Sequence, residues 1–246
     1  MKLDNITALS YAHTNQALRN VEQNYYDVGT GDQRLGFKDN RFTQTNRSGA
    51  ISHFTFEISP SHKIEFRNFY NQQGQNQATV RSGFSDGLGG YDIQNLSSNY
   101  FSRGLYSGQL SGKHTFSDAV NFNWVVGYNN TNASQPDYMR VRSQRDIGTE
   151  NPFVVQIPPT ANSNEAGRFY SKLKEQAYTF AGNLDIKLNP SADESKQAKI
   201  ITGYYLEQKD RAFNARWMSY KWATPTSVDL QLIQRPFNEV FAPGNL

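Results

Sequence analysis

Apolar side chains fall on alternate positions along most of this chain, the spacing of a β-strand with one apolar and one polar face. The clearest stretch is AVNFNWVVGYNN at 119–130, where Phe122, Trp124, Val126 and Tyr128 share one parity and Asn121, Asn123, Val125 and Gly127 take the other. Matching the sequence to a period of two predicts seven strands, over about 5–14, 48–58, 63–74, 98–116, 119–130, 170–188 and 199–213. No segment competes with the period of a helix. The tail from about 214, with Trp217, Trp222, Pro225, Pro236 and Pro243, reads as loop. The predicted fold class is all-β, an antiparallel up-and-down meander of about seven long strands.

One parity collects the large apolar side chains: Phe54, Phe56, Phe66, Phe122, Trp124, Val126, Tyr128, Tyr178, Phe180, Leu184 and Ile186. The other carries Glu65, Arg67, Lys113, Asp185, Lys187 and Glu207. The connections alternate, short near 59–62, 117–120 and 189–198 and long near 82–97, 134–167 and beyond 214, which puts all short turns at one edge of a meander. That asymmetry is the signature of an outer-membrane barrel. The predicted strands exceed the usual length in globular sheets of about 5–6 residues, the fourth and sixth most of all, and roughly 9–11 residues suffice to cross a membrane. The meander is therefore expected to be part of a larger transmembrane β-barrel, with the apolar set facing lipid and the charged set lining the lumen. An odd strand number, and an N-terminus, MKLDNITALSYAHTN, without an apolar leader core, predict an internal piece of such a barrel.

Composition alters this picture in few places. Of 246 residues 13% are aromatic, and the net charge of +3 comes from Lys and Arg scattered along the chain, which argues against nucleic acid as a partner. There is no cysteine, hence no disulfide framework and no thiolate metal site. No run of 18 apolar residues is present, so only a barrel would span a membrane.

Four stretches, SHKIEFRNFYNQ (61–72), GLYSGQLSGKHTF (104–116), NFNWVVGYNNTNASQPDYMRVRSQRDIG (121–148) and RPFNEVFAPGNL (235–246), resemble the barrel of TonB-dependent outer-membrane receptors. The resemblance is closest to the Bacteroidetes type with a carboxypeptidase-like regulatory domain. It implies a barrel of about 22 strands with a plugged lumen. It further implies the outer membrane of a Gram-negative bacterium as the location, and lipid and lipopolysaccharide as surroundings. The implied partners are an imported ligand, the TonB energy-coupling complex acting through a plug absent from these residues, and a surface lipoprotein.

Candidate chemistry is sparse. His13, His53, His62 and His114 never pair at metal-ligand spacing, so no metal is expected. Gly87, Gly89 and Gly90 lack the Lys-Ser/Thr that a phosphate loop needs. Arg140, Arg142 and Arg145 form a basic group that reads either as a solvated strand extension or as a rim contacting an anionic ligand. Trp217, Tyr220 and Trp222 suit stacking on sugar or siderophore rings, or packing within the loop. No catalytic constellation and no cofactor are expected. The leading expectation is a barrel-wall part of a receptor importing a siderophore or glycan. The alternative is a soluble, secreted β-rich binding or adhesion module whose aromatic face is either a core or a carbohydrate platform.

Overall fold

The alternating segments belong to longer strands, most of them at one end of the strand. The computed structural model describes residues 1–86, 90–160, 162–190, 198–223 and 229–245. It contains β1 (Lys2–Tyr26), β2 (Gln33–Ser59), β3 (His62–Ser85), β4 (Tyr91–Thr115), β5 (Val120–Asp146), the short β6 (Val154–Val155), β7 (Ala166–Lys187) and β8 (Lys199–Ser219). A one-turn helix, α1 (Phe237–Val240), follows. The long strands pair antiparallel in the order β1-β2-β3-β4-β5-β7-β8, and β6 pairs with β5.

Polar stretches such as NQQGQNQATV at 71–80 have no apolar alternation, yet they are strand throughout. An interior strand satisfies its backbone N–H and C=O groups on both neighbours whatever its side chains are, so a ladder begun at the apolar rungs propagates outward in register. Cross-strand amide and hydroxyl contacts support it: Gln77 Nε2 donates to Thr43 Oγ1 at 3.1 Å and Gln135 Nε2 to Asn99 Oδ1 at 2.7 Å. The region 15–47, which the apolar pattern left without strands, completes β1 and opens β2. Between them Asp27 Oδ1 accepts from the backbone N–H of Gly29 at 2.8 Å and of Thr30 at 3.1 Å, closing a tight turn.

The connections now fall at 27–32, 60–61, 86–90, 116–119, 147–165 and 188–198. The expected alternation of short turns and long loops is therefore corrected: most of 82–97 is strand, and only 147–165 is long. Gly87 and Gly89 of the glycine-rich loop, and Pro225, lie outside the described residues. The expected barrel is corrected as well. Among the described residues β1 and β8 each have one partner, the path of pairings ends at both, and the sheet is open rather than closed around a lumen.

Pairing register sorts the side chains into two faces. On the aromatic face Phe54, Phe66, Leu110, Val126, Phe180 and Leu206 form one continuous rung across six strands. The adjacent rung is Phe56, Ile64, Gly112, Trp124, Gly182 and Tyr204. Its glycines make room for rings, since a Cβ on Gly112 would meet the Trp124 indole and one on Gly182 would lie 2.9 Å from the Tyr204 ring. The indole N–H of Trp124 donates to His114 Nε2 at 3.0 Å, which leaves His114 Nδ1 to carry the proton toward His62 Nδ1 at 3.1 Å. This contact between two histidines, 52 residues apart, was invisible in their spacing.

Among the described residues a buried apolar cluster forms at one end of the sheet. The tail folds back over the aromatic face beside the 147–165 connection, where Val141, Val155, Ala166, Ile233, Val240 and Phe241 are all under one-tenth exposed. Elsewhere the aromatic band is half-exposed, with Phe66 at 40% and Phe180 at 42%, so no second layer covers it among the described residues.

Candidate ligand-binding site

A register shift in β5 builds the site. Against β7, Gln135 faces Ser171 and Tyr138 faces Phe169, so Pro136 and Asp137 together oppose the single residue Tyr170. Two residues against one is a β-bulge, and proline suits it because no ladder hydrogen bond is asked of its nitrogen. The extra residue reverses the parity of everything beyond it. Tyr138, Arg140 and Arg142 thereby join the polar face, although counting in twos from Trp124 and Tyr128 would place them on the aromatic one.

On the polar face Asp39, Arg81, Asn95 and Arg142 stand directly opposite one another as one rung across β2, β3, β4 and β5. Asp39 is 1% exposed and takes both arms of Arg81, Nε to Oδ1 at 2.7 Å and Nη2 to Oδ2 at 2.9 Å. That hydrogen bonding holds the Arg81 guanidinium above its ordinary pKa. Arg81 also donates to Gln23 Oε1 at 2.8 Å and lies over the Phe37 ring. The next rung sets Thr79, Ser97 and Arg140 side by side. Arg140 Nη2 donates to Asn164 Oδ1 at 3.2 Å. Asn164 is brought in by the turn preceding β7, which closes on Gly167: a Cβ there would collide with the Ser163 backbone.

These residues line a cavity of about 310 Å³, bounded by Arg81, Asn95, Arg140, Arg142, Asn164 and Tyr138, among others. Arg81 is neutralised by Asp39, whereas neither Arg140 nor Arg142 has a carboxylate partner among the described residues. Arg142 Nε and Nη2 and Asn95 Oδ1 are buried without a hydrogen-bond partner among the described residues. The wall that Tyr138 forms continues away from the cavity as an aromatic ladder over β5, β7 and β8. The Phe169 and Trp217 ring centroids are 4.5 Å apart, and those of Tyr138 and Trp217 6.4 Å. Trp217 is 51% exposed.

No protein-family model, curated protein or solved structure matches the chain. With no family match and an open sheet, the resemblance to TonB-dependent receptors is corrected to a shared texture of long alternating strands. The barrel-wall function falls with it, as do the outer-membrane location and the lipid, lipopolysaccharide, TonB-complex and lipoprotein partners. No helix among the described residues is long and apolar enough to cross a membrane.

The sequence-derived candidates separate in space. Arg140 and Arg142 line the cavity, but Arg145 lies on the other face, bonded to Asp92 at 3.2 Å and stacked over Phe153. Trp217 joins the ladder. Tyr220 and Trp222 instead pack on the buried tail cluster, Tyr220 with its ring centroid 4.7 Å from that of Phe241. Phe54, Phe56, Phe66, Phe122, Trp124, Val126, Tyr128, Tyr178, Phe180, Leu184 and Ile186 all fall on the aromatic face, and Glu65, Arg67, Lys113, Asp185, Lys187 and Glu207 on the polar one. Since the sheet is open, the former do not form an outer wall nor the latter a lumen. Arg81, Asn95, Tyr138 and Phe169 were missed. Only register joins Arg81 to Arg142, and the proline in QPDYMRVR was the one local sign that parity shifts there.

After Asp39, Glu65 is the most enclosed of the polar-face charges described, at 7% exposed. It bonds Lys63 at 2.8 Å, pairs with Arg67, and approaches His53 of β2 at 3.6 Å. The Lys63 hydrogen bond, with the positive charges of Arg67 and Lys63, holds its carboxyl below the ordinary 4.5. A carboxylate with a lowered folded pKa contributes stability that is complete above the unfolded value and is lost as pH falls through the folded one. Replacing Glu65 by Gln should therefore cost about 1–3 kcal/mol at pH 7. The gap from wild type should narrow below pH 4.5 and close under more acid conditions, as followed by urea unfolding. A pH-independent gap would mean that the loss is one of packing.

Proposed function

We propose that this chain is a β-sheet binding module for carbohydrate, using the Tyr138–Phe169–Trp217 ladder as its platform. The observation that carries the reading is the placement of three rings on adjacent strands, with Trp217 half-exposed, directly beside a cavity rimmed by amide and guanidinium groups. Aromatic faces suit the C–H face of a pyranose. Asn95, Asn164 and the arginines offer the directional donors and acceptors that sugar hydroxyls require. A regular sheet is an apt base for such a site because rings held on strands stay fixed in spacing and orientation.

The test is titration of the protein with neutral and acidic oligosaccharides, monitored by tryptophan fluorescence and calorimetry. Trp217→Ala is expected to weaken binding at least tenfold, while Trp124→Phe, on the opposite face, leaves it within twofold. Equal binding by wild type and Trp217→Ala, or no binding of any glycan, overturns the reading.

A further inference from the structure

Resting on that carbohydrate reading, we infer that the cavity beside the platform is a carboxylate site, and that the glycan it selects carries uronic acid residues. Three observations on the polar face converge on this. The first is charge: Arg140 and Arg142 line the cavity with no acidic partner among the described residues, and Asp39 is fully engaged by Arg81. Asp137, adjacent in sequence, bonds Arg168 at 3.0 Å instead. The cavity therefore holds two uncompensated positive charges, and a negative group brought into it is drawn by both.

The second observation is unmet hydrogen bonding. Arg142 Nε and Nη2 are shielded from solvent yet donate to nothing. Nε and an Nη are the pair of donors that a guanidinium presents to the two oxygens of a carboxylate in a fork. The third is Asn95 Oδ1, an acceptor equally shielded and equally without a partner, which stands on the strand next to Arg142 in the same rung. A bare oxyanion supplies acceptors only and leaves Asn95 Oδ1 unsatisfied. A uronic acid brings a carboxylate for Arg142 and hydroxyl donors for Asn95 on one ring. The cavity also shares Tyr138 with the platform, so a sugar chain lying on the rings has its next unit at the mouth.

The experiment is calorimetry on the intact chain with a galacturonate oligosaccharide, its methyl ester, a neutral gluco-oligosaccharide of the same length, and sodium sulfate alone. Wild type is expected to bind the acid at least tenfold more tightly than the ester. Arg142→Gln should erase that margin, so that acid and ester bind alike; Arg140→Gln, assayed in parallel, should reduce the margin and serves should Arg142→Gln fail to fold. Equal binding of acid and ester, with both still lost in Trp217→Ala, overturns the carboxylate site and leaves the platform standing. Sulfate binding as tightly as the galacturonate chain also overturns it, because the anion then needs no sugar. Failure of every saccharide to bind overturns the platform reading and this inference together.

Discussion

Replacing Arg81 by Met is expected to lower the unfolding free energy by about 3–5 kcal/mol, the cost of removing one partner from a buried ion pair. The size follows from Asp39, which at 1% exposure cannot turn to water when its two bonds to Arg81 are lost. An unpaired interior carboxylate must then be desolvated or take up a proton. The loss belongs to the orphaned charge rather than to the pair, so the double variant Asp39→Leu with Arg81→Met should recover most of it. Urea unfolding of the two single variants and the double variant checks this as a cycle. A loss below 1 kcal/mol in Arg81→Met would show that Asp39 finds another donor, and Gln23, already bonded to Arg81, is the nearest candidate.

Phe241→Ala should have a comparable local effect, about 3–5 kcal/mol as for other buried Phe truncations. Phe241 is 8% exposed and packs with Tyr220, Val240, Ile233 and the strand residues Val141 and Ala166, where the tail covers the aromatic face of the sheet. Its removal should release the tail rather than unfold the sheet, because β1 to β4 make no contribution to that cluster. Hydrogen exchange should show lost protection at Val240, Phe241 and Tyr220, whose backbone N–H bonds Ala166 O at 3.1 Å, while β3 and β4 keep theirs. Uniform loss of protection across the sheet would mean instead that the cluster nucleates the fold. Binding at the Tyr138–Phe169–Trp217 ladder should survive, since it stands on the opposite face.

Strand identity was legible wherever apolar side chains alternate, and so was the partition of faces. Phe54, Phe66, Val126 and Phe180 are on one face in the structure because period two is a property of the extended backbone itself. Strand length was not legible. Asn71 to Val80 and most of 15–47 carry no apolar alternation, and they are strands because neighbours already in register offer them backbone partners. The mistaken long loop at 82–97 followed from this, and with it the loop asymmetry that suggested a barrel. The candidate site was half legible. Arg140, Arg142 and Trp217 stood out by residue type, but Arg145 stands an odd number of strand positions from Arg140 and Arg142 and so faces the other way, and Tyr220 and Trp222 lie past the end of β8 at Ser219, where the chain turns to pack on the tail cluster.

By itself the sequence determined the extended backbone, the antiparallel meander and the two-faced character of each strand, all of which are local consequences of side-chain alternation and turn chemistry. Only the tertiary structure decided that the sheet is open, that the tail covers one end of the aromatic face, and that Asp39, Arg81, Asn95 and Arg142 share a rung. The reason is that register between strands depends on partners tens of residues away, and a single extra residue at Pro136–Asp137 turns every later side chain of β5 through the sheet.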